Sequence, residues 1–370
     1  MIINGSLKSN KTELLINEYI SLINKGISQE QILFITLNAY KKNKVKKYIK
    51  AFLPNHVPDI QTFSGLCYNY ILNNWALLQN NINTGEKRDV PILCGLEVSQ
   101  NIFTNIINQV NFKDYNSKIN LIHQLLRRHT LIVNNNLTDE EIKNKSEILN
   151  EAFAPEAQQA LELYKMKTLE LKAFDYIRQQ SLFKYLYEKT EVFNKIKYIF
   201  IDDMDEQTQA CYDFFEHLRP NLENYFVGID EKGTSRYGYL CGNINAYKNL
   251  KNFGNELKAK EINLTHKIQI KNFSKRMEMI KYCISEIKKI NSTEDISIIT
   301  PVLDNQLKYE LQNEFNKLNI DYQFISGNEK LSDDNFISAI LSFLRIINNI
   351  KTKLDDVQNI FNEILKIPVF

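Results

Sequence analysis

Gly5, Lys11 and Thr12, close to the start of the chain, have the spacing of a phosphate-binding loop. Residues 5–12 read GSLKSNKT and match the pattern G-x-x-x-x-G-K-S/T except at Asn10, which replaces the second glycine. In such a loop, backbone N–H groups and the positive start of a helix bind phosphates. Lys11 would neutralise the outer phosphates, and Thr12 would hold Mg²⁺. The alternative is a strand, a turn and a helix that match the pattern by chance.

The predicted phosphate contacts cover the whole loop. They are Gly5, Ser6, Leu7, Lys8, Ser9, Asn10, Lys11 and Thr12. Asparagine is the residue other than glycine that best tolerates a positive φ, so we expect the loop to keep its shape with Asn10 in place.

A group of acidic residues follows a short apolar segment, residues 198–201. If that segment is a strand, its end presents Asp202 to a metal ion, as the acid of a nucleotide-binding site does. Asp203 would then orient or deprotonate an attacking water. The alternative is that these acids, continued by Asp205 and Glu206, only favour the start of a helix through its dipole. The two interpretations can hold for different residues.

The elements around the loop alternate in type. Apolar runs at residues 1–4, 31–37 and 57–63 predict strands, while helical periodicity over residues 13–25 and 41–53 predicts helices between them. The order β-α-β-α-β is typical of a parallel sheet with crossover helices. The chain is therefore predicted to be an α/β protein.

The domain organisation follows from where strand character stops and returns. Residues 65–172 are almost wholly helical in pattern, and strands are predicted again from residue 198. We predict one α/β domain from residues 1–80 plus 165–262, interrupted by a helical insertion at 81–164. Residues 263–370 would begin a second α/β domain, with strands at 268–273, 296–299 and 322–325.

Composition limits the classes of protein that fit. The net charge of +2 over 370 residues gives no argument for nucleic acid beyond a lysine-rich stretch at 41–50. The five cysteines are scattered without a C-x-x-C pair, which argues against a disulfide framework or a zinc site and indicates a reducing cytoplasm. No segment approaches the ~18 apolar residues of a membrane span, so no membrane partner is expected.

The order of these segments resembles the UvrD/Rep-type superfamily 1 DNA helicases, the group that includes the RecB and AddA nucleases. The phosphate loop is one match, and residues 201–206 resemble the motif V-D-E-x-Q-D. Residues 32–41 resemble I-L-x-L-T-F-T-N-K-A-A, and 62–66 resemble T-F-H-S-F. Residues 174–177, which follow Tyr164, resemble D-F-D-D-L. Residues 227–242 resemble V-G-D-x-x-Q-S-I-Y-x-F-x-G-A with two inserted residues.

The resemblance implies a RecA-like P-loop motor that uses ATP and Mg²⁺ to move along single-stranded DNA or to act at a single/double-strand junction. It also implies a nuclease or a second helicase-like subunit as a partner. Aromatic stacking and lysine contacts hold a single strand in such folds. The residues implied are Thr36, Tyr40, Lys41, Thr62, Phe63 and Tyr237. The alternative is that the aromatics are core residues and that the lysines form a solvated face.

Several positions depart from the family pattern. The catalytic glutamate is Asp203, the following glutamine is Asp205, and the glutamine near the γ-phosphate has no equivalent. The aromatic of the T-F-T-N element is Leu37. The chain also stops at Phe370, before the segments expected to supply a second-domain arginine, so weak hydrolysis by this chain alone is expected.

Three functions fit these observations. The first is an ATP-dependent 3′-to-5′ DNA helicase. The second is a degenerate, catalytically weak helicase-fold subunit that binds DNA or a partner in a recombination or repair complex. The third is a small-molecule P-loop kinase, which ranks last because it needs neither the T-F-S element nor the helical insertion.

Overall fold

A computed structural model gives the fold of the chain. It describes residues 1–6, 9–82, 90–112, 115, 117–149, 154–233, 235–236, 238–260, 269–290, 296–324, 334–350 and 354–366. The chain divides into two compact units, Met1–Leu264 and Thr265–Phe370.

The first unit is built on a six-stranded sheet. The strands of this unit are β1 (Ile2–Asn4), β2 (Ile32–Thr36), β3 (Ile60–Thr62), β4 (Ile92–Leu93), β5 (Ala173–Phe174), β6 (Tyr198–Ile201), β7 (Asn224–Ile229) and β8 (Glu256–Lys258). The sheet has the order β3-β2-β6-β7-β1-β8, and each pair of neighbours is parallel. β4 and β5 form a separate two-stranded ribbon. The predicted α/β class and parallel sheet are thus confirmed, with strands from both sides of the helical stretch.

Helices connect the strands and continue into the second unit. They are α1 (Lys11–Asn24), α2 (Ala39–Phe52), α3 (Phe63–Asn73), α4 (Trp75–Ile82), α5 (Leu96–Ile107), α6 (Lys118–Asn134), α7 (Asp139–Ile148), α8 (Ala154–Leu171), α9 (Tyr176–Lys189), α10 (Gln209–Leu218), α11 (Ala246–Leu250), α12 (Arg276–Lys289), α13 (Asn305–Lys317), α14 (Asn335–Ile347) and α15 (Leu354–Glu363). None of the helices in the described residues has the length and apolar character that crossing a membrane requires.

Both faces of the sheet are covered, which explains why its strands are continuous apolar runs. On one face, Phe34, Phe200 and Phe226 stack across the neighbouring strands β2, β6 and β7, with ring centroids 5.3 and 4.5 Å apart. Apolar residues of α1 and α2 complete this core. The other face packs against α3, α9 and α10, where Phe183 contacts Phe214 at 4.9 Å between centroids. Burial on both faces fixes the ends of the strands relative to one another.

Capping side chains fix where the helices after the strands begin. Asn38 accepts a hydrogen bond from the backbone N–H of Lys41 at 2.9 Å, which starts α2. Thr62 likewise accepts from Gly65 at 3.0 Å and starts α3. Asp175 accepts from the N–H of Arg178 at 2.7 Å. Each cap satisfies a backbone donor that the helix itself cannot pair.

The predicted helical insertion corresponds to α5–α8, which have a core of their own. Phe103 of α5 stacks on Tyr164 of α8 with centroids 4.3 Å apart, and α6 adds Leu121 and Leu125 to the same cluster. The helices fall within the first compact unit. The boundaries 1–80, 81–164 and 165–262 remain a prediction.

The second unit is helical in its described residues. α12 and α13 pack through a cluster that includes Ile284 and Phe315. The strands predicted at 268–273, 296–299 and 322–325 are wrong for the residues described, since 269–273, 296–299 and 322–324 form no strand. A strand needs a neighbour for its backbone groups and a face to bury its side chains, and Ile299 is instead largely exposed. A partial second motor domain at 263–370 therefore stays a prediction.

Candidate nucleotide-binding site

The phosphate loop and the acidic residues meet at one edge of the sheet. β1 and β6 are parallel, so their carboxyl ends lie at the same edge, where β1 leads into the loop and β6 leads into Asp202. The hydroxyl of Thr12 lies 3.1 and 3.0 Å from the two oxygens of Asp202. The two sequence-predicted magnesium ligands are therefore neighbours.

Gly5 is needed at the start of the loop because no side chain fits there. A Cβ at this position would lie 2.7 Å from Cβ of Ala259 and closer still to the hydroxyl of Ser9. The loop then turns through a bond from the N–H of Ser9 to the carbonyl of Ser6, at 3.0 Å. Leu7 and Lys8, both predicted phosphate contacts, lie outside the described residues.

Asn10 does not adopt the conformation that we expected of it. Its φ of −83° and ψ of 23° lie far from the left-handed region, so the expectation of a positive φ is wrong. Its side chain instead accepts a hydrogen bond from the N–H of Lys260 at 2.9 Å. The second glycine of the pattern is dispensable here because the backbone at this position is one that any residue can adopt.

Lys11 is buried at the first position of α1, with its ammonium inside the loop. Its Nζ lies 3.3 Å from the carbonyl oxygen of Gly5 and 3.1 Å from Oδ1 of Asp203. A buried charge without a partner is strongly destabilising, so this ion pair compensates the lysine when no phosphate is bound.

Asp203 has a left-handed backbone, with φ 53° and ψ 58°. Aspartate and asparagine tolerate this region better than other residues with a side chain. The sharp turn follows directly on the fully buried Asp202 and aims the next carboxylate at Lys11. The conformation was not predicted, and residue type alone is only a weak signal for it.

Lys41 occupies a position that the sequence did not predict. Its ammonium forms an ion pair with Asp203 and lies 3.8 Å from Oδ2 of Asp202, and the nucleic-acid contact expected of Lys41 stays a prediction. Its side chain is 29% exposed. The reason is the sheet order, which places β2, and therefore the start of α2, beside β6. Sequence alone does not give that order.

The site fits phosphate and a divalent cation. The hydroxyl of Thr12 and the carboxylate of Asp202 are oxygen donors, which Mg²⁺ prefers, and it is usually held by one or two carboxylates plus substrate phosphates. Among the described residues, the buried hydroxyl of Ser9 has no hydrogen-bond partner, as a group that awaits a ligand would. These are the residues that would hold ATP and Mg²⁺.

Asp205 stands where the family motif has glutamine, and it is buried beside the site. Its Oδ1 accepts a hydrogen bond from the N–H of Asp230 at 3.0 Å. Burial raises the pKa of Asp205 to about 6, and the bond from Asp230 and the charge of Lys11 oppose that rise. The position of the family's neutral side chain is thus held by an acid that is half protonated near pH 6.

The residues predicted to contact nucleic acid differ in how exposed their side chains are. Tyr40 is 75% exposed, and Thr62 caps α3. Thr36 is buried and donates to the carbonyl of Gln61 at 3.4 Å, and Phe63 is buried with 7% exposure. Both side chains are thus packed inside the fold, and the nucleic-acid contacts expected of Thr36 and Phe63 stay predictions. Tyr237 lies outside the described residues.

Comparison with known proteins supports the resemblance. A scan against protein families matches residues 3–255 to the UvrD/REP helicase N-terminal domain. No curated protein matches the chain. The family match covers more than half of the chain and includes the loop, the acidic strand end and the helical stretch between them. The chain therefore belongs to the UvrD/Rep helicase family.

Proposed function

We propose that this chain is the ATP-binding part of an ATP-dependent DNA helicase that couples hydrolysis to movement along single-stranded DNA. The carrying observation is the meeting of Thr12 with Asp202 and of Lys11 with Asp203 at the edge of one parallel sheet. A P-loop nucleoside triphosphatase needs this combination of a phosphate loop, a lysine, a metal ligand and a second acidic residue, here Asp203. The family match over residues 3–255 agrees with it.

Each residue has a role that follows from its place. The N–H groups of the loop and the start of α1 bind the phosphates, and Lys11 leaves Asp203 to neutralise the outer ones. Thr12 and Asp202 hold the cation. Mg²⁺, when bound, supplies charge neutralisation between phosphate oxygens. Asp203, released by Lys11, is the group placed to orient the attacking water.

Nucleic acid is the second partner in this proposal, as single-stranded DNA or as a single/double-strand junction. Tyr40 supports it, because its exposed ring lies in the first turn of α2, one residue before a lysine that reaches the nucleotide site. A nuclease or a second helicase-like subunit is the proposed protein partner, in DNA repair or recombination. The five free cysteines support a reducing cytoplasm as the compartment.

ATP binding is the decisive experiment. ATP-Mg²⁺ is expected to raise the melting temperature of the chain, with about 2.7 kcal/mol of stabilisation at a hundredfold excess over Kd. Lys11→Ala should abolish that rise. ATPase assays with and without single-stranded DNA then test for coupling. Binding without DNA-stimulated turnover would support a degenerate subunit instead, and the absence of any binding would overturn the proposal.

A further inference from the structure

Two lysines, not one, neutralise the acidic pair of the site. Lys11 contacts Asp203 at 3.1 Å from the loop side, while Lys41 contacts the same carboxylate and approaches Asp202 from α2. Lys41 has no part in the nucleotide-binding roles described above, although its ammonium lies at the same two carboxylates.

The formal charges of the four side chains in this group balance, and the buried Asp205 beside this group is an additional acid. Asp202 and Asp203 carry two negative charges, their side chains are 0% and 4% exposed, and the two ammonium groups supply two positive charges. A carboxylate buried this deeply needs a partner, because an unpaired buried charge is strongly destabilising. A divalent cation between Thr12 and Asp202 would bring two further positive charges to the carboxylate that Lys41 approaches.

We propose that Lys41 is a positioning residue that holds the two carboxylates when no metal is bound and that a divalent cation must displace it. This inference rests on the proposed function. The displacement is feasible because the lysine has a flexible four-carbon stem and is partly exposed, so its ammonium can return to water. Lys11, which is almost fully buried, has no such route to water and would leave Asp203 only for a bound phosphate.

One consequence is a higher metal requirement. The cation competes with a covalently attached ammonium for the same carboxylates, so more Mg²⁺ is needed than at a site without the lysine. A second consequence is stability of the metal-free chain, since Lys41 compensates buried charge until the metal arrives.

The test is a Mg²⁺ titration of nucleotide binding, followed with a fluorescent ATP analogue at fixed concentration. Lys41→Met should lower the half-saturating Mg²⁺ concentration by roughly tenfold, the change that corresponds to removing about 1.4 kcal/mol of competition. Lys41→Arg keeps the charge and should have the same half-saturating Mg²⁺ concentration as the unmutated chain. Lys44→Met removes the same charge from an exposed position on α2 and should change nothing.

Melting temperature gives a second measurement, independent of nucleotide. Without metal, Lys41→Met should have a lower melting temperature than Lys44→Met. Mg²⁺ without nucleotide should reduce the difference between the two melting temperatures. Lys41→Gln, whose amide can still donate to the carboxylates, serves if the methionine variant does not fold.

The outcomes separate the two proposals. If the unmutated chain binds no analogue with Mg²⁺ or Mn²⁺, the proposed function fails. If it binds, and Lys41→Met and Lys41→Gln need as much Mg²⁺ as Lys44→Met or more, the role of Lys41 is overturned while the nucleotide site stands.

Discussion

The hydroxyl of Thr12 lies 3.0 Å from the carboxylate of Asp202, although 190 positions separate the two residues in the chain. The contact exists because β1 and β6 run in the same direction in one sheet, so the segments after the two strands emerge at one edge and meet there. The helical stretch that lies between these two strands in the sequence does not prevent them from joining the same sheet. The proposed metal position therefore depends on the order of the strands in the sheet and not on a local motif alone.

Removing the hydroxyl of Thr12 should separate phosphate binding from metal binding. Thr12→Val keeps the size and branching of the side chain but loses the oxygen, so the affinity for ATP with Mg²⁺ should fall at least roughly tenfold. Thr12→Ser retains the hydroxyl and should bind within a few fold of the unmutated chain. Isothermal titration calorimetry with ATP, with and without Mg²⁺, measures the affinity of each variant. Equal affinities for the two variants would remove Thr12 from the metal position.

Tyr40 and Phe63 should respond differently to truncation, although both were predicted to contact nucleic acid. Tyr40→Ala should weaken single-stranded DNA binding, because a stacked base is worth about 1–3 kcal/mol, and should leave stability unchanged. Phe63→Ala should instead destabilise the fold by about 3–5 kcal/mol, since its ring packs against Phe183 with centroids 5.8 Å apart.

Fluorescence anisotropy with labelled oligonucleotides and urea unfolding measure the two effects. Tyr68→Ala, at another exposed tyrosine, is the control for DNA binding. A Tyr40 variant that binds DNA as well as the Tyr68 variant would contradict the assignment.

The sequence predicted what depends on local patterns. The phosphate loop follows from the spacing of Gly5, Lys11 and Thr12, while the alternation of β1, α1, β2, α2 and β3 and the acidic end of β6 follow from apolar runs.

The order of the strands could not be predicted, because nothing local states that β2 lies beside β6. The ion pair of Lys41 follows from that order. The burial of Phe63 follows from its packing against Phe183 of α9 and Phe214 of α10. β8 was missed because its three residues are all exposed, which gives no apolar pattern.

Asp205 should make stability depend on pH in a direction unusual for a carboxyl group. Burial raises its pKa in the folded chain to about 6, above the ordinary value of 3.8, so the folded state binds the proton more tightly than the unfolded state. Stability from this group is therefore present below about pH 4 and is lost as pH rises through 6. Above that, the buried charge costs about 1–2 kcal/mol after allowance for solvent screening.

Asp205→Asn removes the charge and keeps an oxygen for the N–H of Asp230. The variant should be more stable than the unmutated chain at pH 8, and the difference should vanish by pH 4. Urea unfolding at a series of pH values measures it. A difference that does not change with pH would show that Asp205 is charged throughout this range in the folded chain.

Hydrolysis by this chain should be slow, and the geometry of Asp203 gives the reason. Phosphoryl transfer depends on positioned charge more than on covalent chemistry. Asp203 is one methylene shorter than the family's glutamate, is paired with Lys11 and Lys41, and is followed by Asp205 where the motif has glutamine. An acid engaged by two ammonium groups orients water poorly until both leave it.

Asp203→Glu should raise the rate only modestly. The longer side chain recovers reach, but glutamate tolerates the left-handed backbone at φ 53° less well than aspartate, which offsets part of the gain. Asp203→Asn tolerates that backbone equally well, cannot accept a proton, and should abolish what activity exists. Steady-state ATPase with and without single-stranded DNA compares the three proteins. Turnover of several per second in the unmutated chain, stimulated by DNA, would show that the two lysines leave Asp203 readily and that the shorter acid suffices.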